Sequence, residues 1–327
     1  MRASGRVLVP VMDWTHPAGG MRKLYRHVDV LNAHGIEAFI VHQQPGFRCT
    51  WFANNTAVTC SSAAQHWPPR LGDVLLVPEF LAWQFVALAP GVPKVIFSQN
   101  AYQTFENAKD PFRVIPYLQP DLLASIVVSD DSQQYLQYAF PGLRVFRIHY
   151  SVDPTLFYFE PNKKRRIALM PRKNEFEMKQ VAMLLECRGL LKDFSIARIH
   201  DQSQEQAASM LRESMIFLSF STYEGWGLPP MEAMACGCIT IGHDGGGGRE
   251  FFREPYATPI APENVLEFVT AVEPVIHQLN QDPRPLLEKA KAASQFVLAT
   301  YTPQREEQDI VRTWEQIITP SPSGLRL

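Results

Sequence analysis

Ser221-Thr-Tyr-Glu-Gly-Trp-Gly-Leu-Pro-Pro-Met-Glu-Ala-Met-Ala-Cys-Gly-Cys238 decides how the rest of the chain is read. It carries two carboxylates, Glu224 and Glu232, on a segment whose conformation must change midway. Gly225 and Gly227 allow the first half to be a loop that approaches a ligand closely. Pro229 and Pro230 suit the first turn of a helix, where a missing N–H is tolerated. Good helix formers follow to Cys236, and Gly237 is a C-terminal stop. One carboxylate is therefore expected on a tight loop and the other in the first turn of a short helix. The next run, Cys238-Ile-Thr-Ile-Gly, reads as a strand, so the motif falls at an α/β crossover, where ligands collect.

The same alternation extends to both sides. Residues 6–12 read as a buried strand, Gly19 and Gly20 open a helix over 21–34, and 36–41 read as the next strand. That is the start of a parallel sheet. Further strands are expected at 74–78, 94–98, 125–129 and 144–148. A polar break over 151–166 contains Pro154, Pro161 and Lys163-Lys-Arg-Arg166 and reads as an interdomain linker, its basic run a solvated loop edge. A second set follows: strand from 167, helix 175–188, strand 194–199, helix 203–214, strand 215–219, the carboxylate motif, strand 238–241 and helix 263–279. An amphipathic helix over 304–318 and a frayed end at 320–327 close the chain. Two α/β domains result, 1–152 and 164–302, with the helix 304–318 following them. Facing each other, they would leave a cleft for a large ligand.

Composition narrows the function. With 327 residues, 46% hydrophobic and 20% charged, the chain is long enough for two globular domains. Residues 1–150 hold 12 Lys and Arg against 10 Asp and Glu, and the remainder 19 against 23, so neither half has the basic surface of a nucleic-acid binder. Five cysteines with no repeated spacing argue against a disulfide framework and for a reducing compartment. Cys236-Gly-Cys238 alone is a weak metal signal. The apolar run 74–92 is broken by Pro78, Glu79, Gln84 and Pro90 and reads as strand, turn and helix rather than a membrane span. No signal peptide is read at the N-terminus, and a cytoplasmic protein is expected.

The Glu224–Glu232 element, Gly245-Gly-Gly-Gly-Arg-Glu250, Tyr150-Ser-Val-Asp-Pro-Thr-Leu-Phe157 and the Gly19-Gly20 helix opening occur in the order found in glycosyltransferase family 4. The chain resembles these retaining transferases (glycosyl transferases group 1) over nearly its full length. The resemblance implies the GT-B fold, in which two Rossmann-like doubly wound domains face a cleft and a C-terminal helix crosses back. It implies an N-terminal domain on the acceptor side and a C-terminal domain that binds the nucleotide sugar. Glu224 would accept hydrogen bonds from the donor sugar, and Glu232 would hold the ribose hydroxyls. A carboxylate suits vicinal hydroxyls through charge-assisted bonds. A loop acid for Glu224 and a helix-dipole acid for Glu232 are the blander readings.

Further roles follow residue by residue. Arg172, in Met170-Pro-Arg-Lys-Asn-Glu-Phe-Glu-Met-Lys179, matches the family's phosphate-binding Arg, and the partner Lys is either Lys173 or Lys179. A solvated cation is the alternative for each. Gly225, Trp226, Gly227, Leu228, Gly247 and Gly248 would line the donor, with Glu250 the acid after the glycine run, although four glycines also suit a flexible loop. Gly19, Gly20, His16 and Asn100 would lie on the acceptor side, beside Gln99. Asn100 is equally suited to cap a helix, and His16 to a plain loop.

The implied reaction is transfer of a sugar from a nucleotide diphosphate to an acceptor hydroxyl with retention, in polysaccharide, glycolipid or glycoconjugate synthesis. The acceptor is a glycan, a lipid-linked or a small molecule. A front-face attack is implied, with the leaving diphosphate taking the acceptor's proton, domain closure excluding water, and no metal or cofactor. Competing readings are a sugar-nucleotide epimerase or phosphorylase of the same fold, and a non-catalytic sugar-nucleotide-binding subunit. Arg22, Lys23 and Arg26 on the first helix could give a weak peripheral contact with the inner face of a membrane, though a solvated helix face is the favoured reading.

Overall fold

The computed structural model describes residues 5–63, 67–84, 88–105, 115–171 and 174–318. The chain divides into two compact units, Met1–His149 with Gln304–Leu327, and Tyr150–Pro303. The expected frayed end, 320–327, lies outside the described residues.

Unit 1 starts with β1 (Val7–Pro10), α1 (Gly19–Ala33), β2 (Ala38–His42), β3 (Val58–Cys60), β4 (Val74–Pro78) and β5 (Lys94–Ser98). It continues with β6 (Leu122–Val127), α2 (Asp130–Ala139) and β7 (Val145–Arg147). These strands form one parallel sheet in the order β3-β2-β1-β4-β5-β6-β7. β1, β4 and β5 are the centre, and their near-continuous apolar runs are what a sheet covered on both faces demands.

Two local expectations change here, and one strand is new. β6 begins and ends earlier than 125–129, because Ser129 Oγ accepts from Ser132 N at 3.1 Å and so starts α2 instead of ending the strand. The helix expected after β4 is a 3-10 turn, Glu79–Gln84. β3, three half-buried residues, gives no period long enough to read from sequence.

Unit 2 holds β8 (Lys164–Leu169), α3 (Glu175–Cys187), β9 (Ser195–Arg198), α4 (Gln204–Glu213), β10 (Ser214–Ser219) and α5 (Leu228–Ala235). β11 (Ile239–Gly242), β12 (Thr258–Pro259), α6 (Val265–Gln281) and α7 (Arg284–Thr300) follow. The parallel sheet runs β12-β11-β10-β8-β9. A core of Ile167, Leu169, Val181, Ile216, Ile241, Phe268 and Val272 lies between this sheet and α3 and α6. α7 has no counterpart in the sequence reading. Its buried stripe is Ala290, Ala293, Ser294 and Val297, mostly too small to mark a hydrophobic period.

The expected linker is largely built into unit 2. Val152 and Phe157 are buried, and β8 starts at Lys164, inside the basic run. That run is a solvated edge only in part: Lys164 and Arg165 are exposed, but the run is also tied to the fold. Lys163 Nζ donates to the carbonyls of Arg212 (2.9 Å) and Cys236 (2.8 Å), and Arg165 to that of Leu279 (3.3 Å). Those carbonyls sit at the C-terminal ends of α4, α5 and α6, where positive charge is favoured. Lys164 and Arg166 share Glu213.

The last helix, α8 (Pro303–Ile318), belongs to unit 1 apart from its first residue. It packs on α1 and changes the meaning of the basic residues there. Lys23 is buried, with Nζ 2.8 Å and 3.1 Å from the two Glu306 oxygens. Arg26 pairs with Glu307 at 3.2 Å, and His34 lies 2.8 Å from the same carboxylate. The cationic patch imagined for a membrane surface is therefore largely matched by α8. No helix among the described residues is long and apolar enough to cross a membrane.

Trp314 Nε1 donates to His27 Nε2 at 2.7 Å in the same interface. Full burial lowers the His27 pKa to about 3, so the ring is neutral at working pH. A histidine with a depressed folded pKa contributes stability above its unfolded value of about 6.5, lost as pH falls toward 3. Unit 1 should therefore lose stability through that window, with a slope of at most about 1.4 kcal/mol per pH unit. Thermal unfolding followed from pH 7 to pH 4 checks this. His27→Gln keeps an acceptor for Trp314 and has no proton to gain, so its slope should be shallower.

Candidate active site

In unit 2 the strand order reverses between β8 and β10, the switch point of such sheets, and ligands bind outside the carboxyl ends there. The Glu224 loop leaves the end of β10, and residues 172–173 follow β8. Arg172, the expected phosphate-binding Arg, and Lys173, one of the two candidate lysines, lie outside the described residues.

Glu224 is half-buried and tied to the glycine run by main-chain bonds. Its N–H donates to Gly245 O at 2.7 Å, and Gly247 N–H donates to its carbonyl at 3.0 Å, forming an isolated parallel bridge. The closeness explains a glycine at 247: a Cβ there would sit 2.0 Å from Gly225 O. Gly245–Gly248 are all buried, so this is no loose linker. Asp244 Oδ1 accepts from Gly246 N at 2.7 Å and pins the run's start. The run ends in a 3-10 turn, Gly247–Glu250, so half-exposed Glu250 closes a turn instead of starting a helix.

Gly227 is the N-cap of α5 with φ +91°, a conformation that favours glycine. The helix therefore starts at Leu228, with both prolines in its first turn. Glu232 then falls in the second turn, correcting the first-turn expectation, and a helix-end dipole explains it less well. Glu232 is 7% exposed on a helix whose other residues are Leu, Pro, Met and Ala. A carboxylate is costly in such surroundings unless it is hydrogen-bonded or paired.

Trp226 does not offer its ring to a ligand. It is 2% exposed, its Nε1 donates to Met231 Sδ at 3.2 Å, and its ring packs on Phe251 and Tyr301, both at 5.2 Å. It anchors the loop that carries Glu224. Gly225 and Gly227 are buried and Leu228 half-buried beside it. Lys179 is exposed on α3, whose packed face carries Met178, Val181 and Leu185.

Two residues to which the sequence assigns no role stand close to this loop. His243, directly after β11, is 1% exposed. Its Nδ1 is 3.0 Å from Ile260 O and its Nε2 is 2.8 Å from Glu177 Oε2, in the first turn of α3. A carbonyl only accepts, so Nδ1 carries a proton, and a further proton lies between Nε2 and the Glu177 carboxyl. With His243 N–H bonded to Ser219 O (2.8 Å) and Ser219 Oγ to His243 O (2.7 Å), this pair locks the glycine run to the end of β10. The sequence signal is His243 ahead of the glycines, which identifies no partner.

In unit 1, Gly19 and Gly20 form the first turn of α1, and Gly20 lies against the Gln99 side chain. Asn100 Oδ1 accepts from Tyr102 N at 3.2 Å, so Asn100 caps the 3-10 turn Ala101–Thr104. His16 is exposed and edge-on to Trp14 at 6.1 Å. His149 is occupied by Asp309 (2.6 Å) and Arg305 (2.8 Å) of α8. Cys236 and Cys238 are buried thiols, and Cys238 Sγ donates to Leu211 O at 3.2 Å. Burial pushes the Cys238 pKa up to about 11. Among the described residues no three His, Cys, Asp or Glu side chains gather as a metal site.

Residues 195–293 match the family Glycosyl transferases group 1. An alpha-1,6-glucosyltransferase of Actinobacillus pleuropneumoniae is 26% identical over 182 residues, 53% of this chain and 53% of that protein. The match thus spans about half the length of that curated relative. Among solved structures, sucrose-phosphate synthase from Thermosynechococcus elongatus superposes with a TM-score of 0.66 at 13% identity, covering 96% of this chain and 99% of that one. Anabaena HepE, solved with UDP and glucose, gives 0.65 at 13% identity, covering 95% and 100%. These likenesses show the fold: two Rossmann-like units of the GT-B class, as the motif order implied.

Proposed function

We propose that this chain, whose residues 195–293 match glycosyl transferases group 1 on a GT-B fold, is a retaining family 4 enzyme transferring a sugar from a nucleotide diphosphate to an acceptor hydroxyl. The observation that carries this reading is the pair of acids in unit 2. Glu224 is clamped by a buried glycine run at the sheet's switch point, and Glu232 is the charged residue of the apolar helix that follows.

In this reading Glu224 accepts hydroxyls of the donor sugar, which orients the reacting carbon. Glu232 accepts the ribose hydroxyls. The acceptor oxygen bonds to the anomeric carbon as the bond to the diphosphate breaks. The diphosphate leaves with the electron pair and takes the acceptor's proton. Positive charge on the leaving group falls to Arg172 and one lysine, Lys173 or Lys179. No metal or cofactor takes part. Unit 1 supplies the acceptor-side groups, Gly19, Gly20 and the Gln99–Asn100 turn, for a glycan, lipid-linked or small-molecule hydroxyl.

The test is nucleotide release from a panel of sugar nucleotides with and without candidate acceptors. UDP-glucose comes first, since HepE has been solved in complex with it. Acceptor-dependent release with retained configuration is expected. Conversion of donor without acceptor would mark an epimerase, and tight binding without turnover a sugar-nucleotide-binding subunit; either overturns the transferase assignment.

A further inference from the structure

In unit 1 the strand order turns back between β1 and β4, making a switch point on the acceptor side. Glu79, the residue after β4, stands there at 6% exposure. The N–H groups of Gln99 and Asn100, just past β5, donate to its carboxyl, as does its own N–H. Its Oε2 is buried with no hydrogen-bond partner. Ser98 Oγ, Thr104 Oγ1 and Tyr117 Oη are buried nearby, with the Tyr117 hydroxyl against those of Ser98 and Thr104 and close to the Glu79 carboxyl. A buried acid is therefore placed among hydroxyls, with no cation described at its side. The turn it bonds carries Gln99, whose Oε1 would lie 3.1 Å from a Cβ built on Gly20. One carboxyl thus connects the crossovers after β4 and β5, and through Gln99 reaches the first turn of α1.

We propose that Glu79 is a positioning residue whose carboxyl fixes the Gln99–Asn100 turn against α1 and so shapes the acceptor-binding surface. The proposal rests on the transferase reading for its purpose, but the positioning itself does not.

Burial raises the Glu79 pKa to about 7. The groups facing it are the Gln99 and Asn100 amides and the Tyr117 hydroxyl, which in turn neighbours Ser98, the last residue of β5, and Thr104 of the following turn. The Tyr117 hydroxyl is itself pushed up to about 12 by burial. Titration near neutrality therefore belongs to Glu79. An ionised carboxylate accepts amide hydrogen bonds about twice as strongly as a neutral acid, so the turn should tighten as pH rises through 7.

Amide hydrogen exchange on the full chain, corrected for the intrinsic pH dependence, reads this directly. In the wild type, protection of the Gln99 and Asn100 amides should rise between pH 6 and pH 8. Glu79→Gln should lose that pH dependence, and Glu79→Ala should lower protection about tenfold. UDP affinity, a property of unit 2, should stay within about twofold, while the acceptor KM rises with little change in donor KM. Unchanged exchange at both amides in both variants overturns the proposal. So does a parallel loss of UDP affinity and folding, which would make Glu79 a general structural residue. Should the wild type bind no nucleotide at all, the transferase assignment fails while the exchange result still decides the role of Glu79.

Discussion

Glu306→Gln should lower the unfolding midpoint of unit 1 by roughly 6–20 °C. The substitution preserves shape and leaves the Lys23 ammonium, 6% exposed, without its counter-charge. Breaking a buried ion pair from one side costs about 3–5 kcal/mol, because the remaining charge has lost both water and partner. For a unit of this size each kcal/mol shifts the midpoint by about 2–4 °C. Replacing both partners, Lys23→Met with Glu306→Leu, should recover most of the loss, since apolar residues of similar volume often match or exceed a buried pair. Calorimetry on the single and double variants checks both statements. A single variant within 1–2 °C of wild type would mean that water reaches the pair. The outcome also bears on the membrane idea, because Lys23 cannot both anchor α8 and meet lipid.

Glu224→Gln should reduce kcat by about 100-fold or more while leaving UDP affinity nearly unchanged. Losing one preorganised group from a transition state typically costs 10²–10³ in kcat. The backbone bridge to Gly246 should survive the change, since it uses only main-chain atoms. Glu232→Gln should behave in the opposite way. Hydrogen bonds to a charged group are worth about 1.5–3 kcal/mol, so UDP should bind roughly 10- to 150-fold more weakly. Calorimetric titration with UDP, beside steady-state turnover, separates the two carboxylates. If both variants lose UDP affinity equally, or neither loses anything, the assignment of one acid to the sugar and the other to the ribose is wrong.

Legibility follows the range of the interactions. β4 and β5 are legible to the residue, and α3, α4 and α8 to within one or two, because each records its burial in its own period and caps. Ser203, which caps α4 in a reciprocal pairing with Gln206, is a local signal of that kind. β3 and α7 escape because three half-buried residues and an alanine stripe leave little periodic trace. The basic run 163–166 looks solvated in sequence because the carbonyls it binds belong to helices up to 114 positions away.

The site divides in the same manner. Glycines, prolines and two acids in order identify the loop and helix that carry Glu224 and Glu232, since turn and helix chemistry act over a few residues. Trp226 looks like a ligand-facing ring beside two glycines, yet the fold turns it inward onto Phe251 and Tyr301.

By itself the sequence determined two parallel α/β units, the motif after a strand and the helix that returns to unit 1. The tertiary structure alone decided which charges are buried and with whom: Lys23 with Glu306, Glu177 with His243, Glu79 with the Gln99–Asn100 turn. Such pairings join residues 20 to 283 positions apart. No local period encodes them, because a charged side chain reads as surface until the fold closes over it.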